Sequence, residues 1–338
     1  MTNIQEVYEE LLAPSPELIS DISRLEGDIM ILGAGGKMGP ALARLAIEAI
    51  KKAGIDKKVI AASRFSEQGL QDELSALGVE THAVDLLENK QLNNLPDAQN
   101  VLYLAGQKFG TTGKEPFTWA MNAYLPGQVA QKFKNSRIVV FSTGNVYPLS
   151  PVAEGGLTEN HAAGPIGEYA QSCLARERIF QYFSEKNNTG VFIYRLNYAN
   201  DTSYGVILEL AKSVNQEKPI DLRMGYVNLI WQGDANEIAL RSLHHCESPA
   251  KIVNVTGHET ISVKWLAEQI GLLLGKTPQF INEEEPTALL SNASESVRLF
   301  GKPRVTLTQM IELIANWVKE GGKTINKPTH FQEREGQF

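Results

Sequence analysis

The run Asp28-Ile29-Met30-Ile31-Leu32 passes directly into Gly33-Ala34-Gly35-Gly36-Lys37-Met38-Gly39, and a helical pattern follows with Met38, Leu42, Leu45, Ala46 and Ala49 on one face. No other stretch restricts the fold as strongly, because strand, glycine turn and helix occur in that order. Gly33 permits the tight turn, Gly36 lets backbone amides, those of Lys37 and Met38 among them, approach a pyrophosphate, and Gly39 lets the helix pack closely on the strand. The helix N-terminus attracts the anion. Pro40 falls in the first helical turn, where its missing N–H costs little. Glycines also make plain tight turns; the strand and helix on either side favour dinucleotide binding.

From this point β-rich runs alternate with helical segments: 28–32, 58–62, 79–84, 101–104, 137–141 and 191–194 read as strands. Such alternation means βαβ units, hence an α/β fold with a Rossmann-type doubly wound parallel sheet. The apolar runs VLYLA and IVVF suit strands buried on both faces. A chain of 338 residues exceeds one such sheet. The expected division is an N-terminal helical extension (1–27), a dinucleotide-binding Rossmann domain (28–197) to which later segments can return, a smaller C-terminal α/β substrate lobe (198–325) and a polar tail (326–338). In the extension, helices broken around Pro14 and Pro16 should bury Leu11, Leu12, Leu18, Ile19, Ile22 and Leu25. Farther on, Ser262 is a candidate N-cap for a helix presenting Trp265, Leu266, Ile270 and Leu273, and a last helix covers 307–318.

Lys plus Arg number 32 against 39 Asp plus Glu, a net charge of -7, which argues against a nucleic-acid partner needing clustered cations. Two cysteines, Cys173 and Cys246, make no disulfide framework, and neither they nor the six histidines show zinc-ligand spacing, so no metal is expected. The N-terminus lacks a signal peptide's apolar core, and no stretch of about 18 apolar residues occurs. The expectation is a cytoplasmic protein without a membrane partner.

The Gly-x-x-Gly-x-x-Gly spacing resembles that of the short-chain dehydrogenase/reductase superfamily. Over roughly 28–320 the chain resembles its extended branch, the NAD-dependent epimerase/dehydratase family. The resemblance implies that Asp85 and Leu86 contact adenine, that Ala105 and Gly106 line the cofactor, and that Asn122 helps fix the active-site water network. An acid ending the second strand would bind the ribose 2′-OH, whereas an Arg accommodates a 2′-phosphate. Ser63 and Arg64 stand there, so NADP is favoured over NAD; otherwise Arg64 is a solvated loop cation or stacks on adenine.

Phe141-Ser142-Thr143-Gly144-Asn145-Val146-Tyr147 resembles the family segment presenting the catalytic Ser or Thr, with Thr143 at that position and Ser142 beside the cofactor. The Thr143 hydroxyl would polarise a substrate oxygen; the plainer role is to cap the turn. Gly167 to Arg178 resembles the Tyr-x-x-x-Lys helix, placing Tyr169 on the catalytic Tyr and Cys173 on the Lys. In the family that Lys binds the nicotinamide ribose and lowers the phenol's pKa. A thiol carries no charge, so Tyr169 would be a poor base at neutral pH unless another cation compensates, and Arg176 and Lys108 are the two candidates. By itself Cys173 fits a small buried hydrophobe. Leu196 resembles a cofactor contact, while Lys108, Asn145, Asn197 and Trp231 are the substrate-side candidates, with Trp231 better suited to the core than to a pocket wall. Arg223 is the candidate for a sugar-nucleotide pyrophosphate. What the resemblance implies is an NAD(P)-dependent oxidoreductase, epimerase or dehydratase working by hydride transfer on a sugar or nucleotide-sugar, and a homodimer. The alternative is a dinucleotide-binding sensor or pseudoenzyme that has lost the Lys.

Overall fold

A computed structural model describes residues 4–108, 110–325 and 327–337. Seven strands, β1 (Ile29–Leu32), β2 (Val59–Ser63), β3 (Glu80–Ala83), β4 (Asn100–Tyr103), β5 (Arg137–Thr143), β6 (Val191–Leu196) and β7 (Lys251–Val255), form one sheet in the order β3-β2-β1-β4-β5-β6-β7. Every neighbouring pair is parallel. The strand order reverses between β1 and β4, and this switch point opens a crevice at the carboxyl ends of the strands. β1 and β4 are buried throughout, as their apolar runs require, and the buried Asn100 that starts β4 donates to the Glu26 carbonyl. The polar strand β3 lies at the sheet edge.

The Gly39–Ala53 helix buries Leu42, Leu45, Ala46, Ala49 and Ile50 against the sheet and stops at Gly54, whose φ of 65° is left-handed. The 21-residue Gly167–Asn187 helix differs, because its buried face carries Tyr169, Ser172, Cys173, Arg176, Glu177, Phe180 and Ser184. Apolar periodicity is therefore weak in this helix, and its inward side is recognisable only from what it meets.

Beyond β6 the chain builds a second core from the Val206–Asn215, Val263–Leu274 and Leu307–Lys319 helices, with Trp231, Leu266, Ile270, Met310 and Phe331 buried together. One segment returns to the first sheet as β7, so the two parts interleave along the chain. Ser262 caps its helix, accepting from the Trp265 amide. Leu266 and Ile270 are buried, but Trp265 and Leu273 remain 44% and 37% exposed, because the helix rests on the lobe along a narrower stripe than the sequence predicts. At the N-terminus Leu18, Ile22 and Leu25 are buried, whereas Leu11, Leu12 and Ile19 are half-buried. Among its described residues, which leave out Asn326 and Phe338, the polar C-terminal segment is packed down. Its Thr329 backbone and hydroxyl donate to Glu209, Phe331 is buried, and Arg334 donates to the Thr287 carbonyl at 2.8 Å and hydroxyl at 2.7 Å. Single side chains secure this strap without any apolar periodicity.

Candidate active site

A cavity of about 250 Å³ lies at the switch point, between the glycine turn, the ends of β4, β5 and β6, and the Tyr169 helix. Gly33, Gly36, Lys37, Met38 and Gly39 form one wall, Lys108, Ser142, Thr143, Asn145 and Tyr169 another, and Leu196, Asn197, Tyr204 and Thr329 close the side of the second lobe.

The turn is built for an approaching backbone. A Cβ on Gly39 would stand 2.3 Å from the Ala34 carbonyl oxygen and one on Gly33 2.6 Å from the Ala105 nitrogen, so neither position takes a side chain without movement. Gly36 meets only the Gly33 carbonyl oxygen, at 3.2 Å, and its bare surface faces the cavity. Met38 supplies no side-chain cap to the following helix, leaving first-turn amides available to an anion. A dinucleotide pyrophosphate fits this arrangement. Lys37 extends from the turn until its Nζ stands 3.2 Å from the centroid of the Tyr204 ring, and burial together with the nearby Lys108 charge pushes its pKa well down. Ser63 packs beneath Gly35, its Oγ 2.7 Å from where a Cβ would sit, while Arg64 is exposed at the end of β2.

Thr143 ends β5 and its Oγ1 accepts from the Asn145 amide at 3.2 Å, so the turn and the cavity share one hydroxyl. Tyr169, in the first turn of its helix, is buried beside it. Burial, followed by the Cys173 sulfur, raises the phenol's pKa well above its usual value, against the smaller lowering effects of Arg176 and of a hydrogen bond with Thr143. Burial also raises the Cys173 thiol, which is neutral at physiological pH. The constellation can therefore give a proton from Tyr169 and align an oxygen with Thr143.

Asn122 sits where the Ala120–Tyr124 segment widens into a π-turn, a distortion that turns its side chain inward. Its Oδ1 accepts from the Gln107 amide at 2.8 Å and from Arg176 Nη2 at 2.7 Å, while its Nδ2 donates to the Gln107 carbonyl and the Ser172 hydroxyl. Arg176 also donates to the Phe141 carbonyl at 2.8 Å. A Cβ on Gly106 would lie 2.5 Å from that guanidinium. Asn122 and Arg176 thus clamp the loop after β4 onto the Tyr169 helix.

Some sequence candidates stand elsewhere. Trp231 is buried in the second core, donating to the Leu11 carbonyl at 3.0 Å, and does not line the cavity. Arg223 forms an exposed pair with Asp221. Three lysines from distant parts of the sequence, Lys212, Lys218 and Lys327, instead line an adjoining cavity of about 290 Å³ that shares Tyr204, Gly205 and Thr329 with the first. Asp85, Leu86, Ala105, Gly106, Asn122 and Cys173 do not line the cavity. Sequence reasoning also missed a buried network in which Glu177 accepts from Ser142 and holds Arg195 through two hydrogen bonds, while Arg195 reaches Tyr147 and Tyr147 reaches Asn254. One signal was available: an Arg inside the apolar strand VFIYRL has to find a buried partner.

The NAD dependent epimerase/dehydratase family matches residues 29–255. No curated protein has a sequence matching this chain. Solved structures with the same fold include the Thermus thermophilus UDP-glucose 4-epimerase in complex with NAD, at a TM-score of 0.69 and 17% identity over 86% of this chain and 99% of that one. The Bacillus cereus UDP-glucuronic acid 4-epimerase in complex with UDP-glucuronic acid and NAD aligns at 0.69 and 17% over 87% and 99%, and Pal from Bacillus thuringiensis at 0.72 and 16% over the same shares.

Proposed function

The chain belongs to the NAD dependent epimerase/dehydratase family, and from that premise we propose that it is an NAD(P)-dependent oxidoreductase of the epimerase type acting on a nucleotide-sugar. The observation that carries this reading is the convergence of Thr143, Tyr169 and the Gly33–Gly39 turn on one cavity. A bound nicotinamide dinucleotide would supply the hydride acceptor and donor. Tyr169 then exchanges the proton of the reacting sugar hydroxyl, and Thr143 holds the same oxygen as charge develops on it. Asn145 and Asn197, both lining the cavity, orient the sugar, and Leu104, Phe141 and Leu196 keep water away. The diphosphate of the substrate would lie toward Lys212, Lys218 and Lys327. Two of the similar structures are complexes of UDP-sugar epimerases with NAD, which accords with a nucleotide-sugar here.

For the cofactor we favour NADP, because Ser63 supplies no carboxylate to a ribose 2′-OH and the exposed Arg64 can meet a 2′-phosphate. A homodimer is part of the same proposal: Phe117, Tyr124 and Tyr182 leave large apolar surfaces on the Asn122 segment and the Tyr169 helix. Absence of the helix Lys at Cys173 favours one second reading, a dinucleotide sensor without turnover. Titration with NADPH and NADH followed by assays on UDP-hexoses and UDP-hexuronic acids separates the two. Turnover that falls by about 10²–10⁴ in Tyr169→Phe with dinucleotide affinity kept supports the enzyme; tight binding with no turnover on any substrate supports the sensor, and no binding ends both.

A further inference from the structure

Resting on the assignment of Tyr169 as the proton-exchanging group, we infer that Lys108, from the loop after β4, is the positioning residue that supplies the positive charge the Tyr169 helix lacks at Cys173. Lys108 and Tyr169 line the same cavity wall, with the Lys108 Nζ 5.8 Å from the centroid of the Tyr169 ring. That placement is imposed by the fold. Asn122 grips both backbone groups of Gln107, at 2.8 Å and 2.9 Å, so the next residue leaves the clamp directly beside the helix. Arg176, on the helix itself, lowers the phenol's pKa from behind and donates to the Phe141 carbonyl and Asn122, so it also holds the loop that presents Lys108.

Other charged and titratable groups near this pair are Lys37 on the glycine turn, which repels Lys108, and Cys173 and Arg176 on the helix, with Tyr103 of β4 behind Arg176 and Asp201 beside Lys37. With the Cys173 thiol neutral, the Lys108 ammonium, 5.8 Å from the Tyr169 ring centroid, is placed to stabilise a phenolate from the cavity side. Burial lowers Lys108 to about 8, so it is mostly charged at neutral pH and loses the charge under mildly alkaline conditions. Activity depending on it should therefore decline as pH rises through the region of 8. Lys108→Arg, whose guanidinium stays charged, should move that decline upward.

The test places a fluorinated tyrosine at position 169 and follows its ionisation by ¹⁹F NMR, which needs neither dinucleotide nor sugar. Because Lys108 has already lost its charge where a phenol raised above 10 ionises, Lys108→Met should leave the midpoint near the parent value. Lys108→Arg, whose guanidinium keeps its charge at that pH, should lower the midpoint by about one unit or more, the size expected for an opposite charge within about 4–6 Å. With any sugar that is turned over, Lys108→Met should lower kcat at least about tenfold with KM little changed, and the more acidic fluorinated phenol should restore part of it. An unchanged midpoint in Lys108→Arg overturns the inference. A shifted midpoint without turnover on any sugar upholds the charge coupling and counts against the proposed activity alone.

Discussion

Glu177 and Arg195 show how much one side chain decides in this protein. Their charged groups are 0% and 4% exposed, and the pair is joined at 2.6 Å within a network that includes Ser142 on the cavity wall. Removing one partner leaves the other charge buried and unpaired, which costs about 3–5 kcal/mol, whereas exchanging both for apolar residues of similar volume costs far less. Glu177→Gln should accordingly lower the stability measured by urea unfolding by that amount, and adding Arg195→Met should recover a large part of it. Equal losses in the single and double variants would mean that the network acts through packing alone. Tyr169 and Thr143 were legible in the sequence because a motif surrounds them. The clamp role of Arg176 was not, since its partners are a backbone carbonyl of β5 and an Asn 54 positions away.

The glycine turn is the element whose parts separate most cleanly into fold and function. At Gly39 an added methyl would lie 2.3 Å from backbone, and the turn would have to shift; Gly39→Ala should destabilise the protein by about 1–3 kcal/mol, read as a lower Tm. At Gly36 the nearest atom is 3.2 Å away and the methyl would project into the path of a pyrophosphate. Gly36→Ala should therefore leave Tm close to the parent value while weakening dinucleotide binding at least about tenfold, measured by titration calorimetry. The reverse pattern would place the dinucleotide elsewhere. Element by element, strands with unbroken apolar runs and helices with apolar stripes were legible from periodicity. The inward face of the Tyr169 helix was not, because it is largely polar and satisfied by partners remote in sequence.

For the whole molecule, the C-terminal strap joins the second core to the cavity. Phe331 is 1% exposed in the core cluster of the second lobe, and Thr329, two residues earlier, lines both cavities. Phe331→Ala should cost about 3–5 kcal/mol through the void it leaves, and by loosening Thr329 it should raise KM for the sugar more than it changes the affinity for the dinucleotide. A purely thermal effect with KM unchanged would show that the strap closes the core only. By itself the sequence determined the parallel α/β sheet, the glycine turn at its first strand and the neighbourhood of Thr143 and Tyr169, because those depend on local periodicity, backbone sterics and short fixed spacings. Only the tertiary structure decided that Trp231 belongs to the core, that three scattered lysines share a cavity and that Lys108 stands over Tyr169. Each of those facts is a distance between residues far apart along the chain, set by how helices and loops close over the sheet.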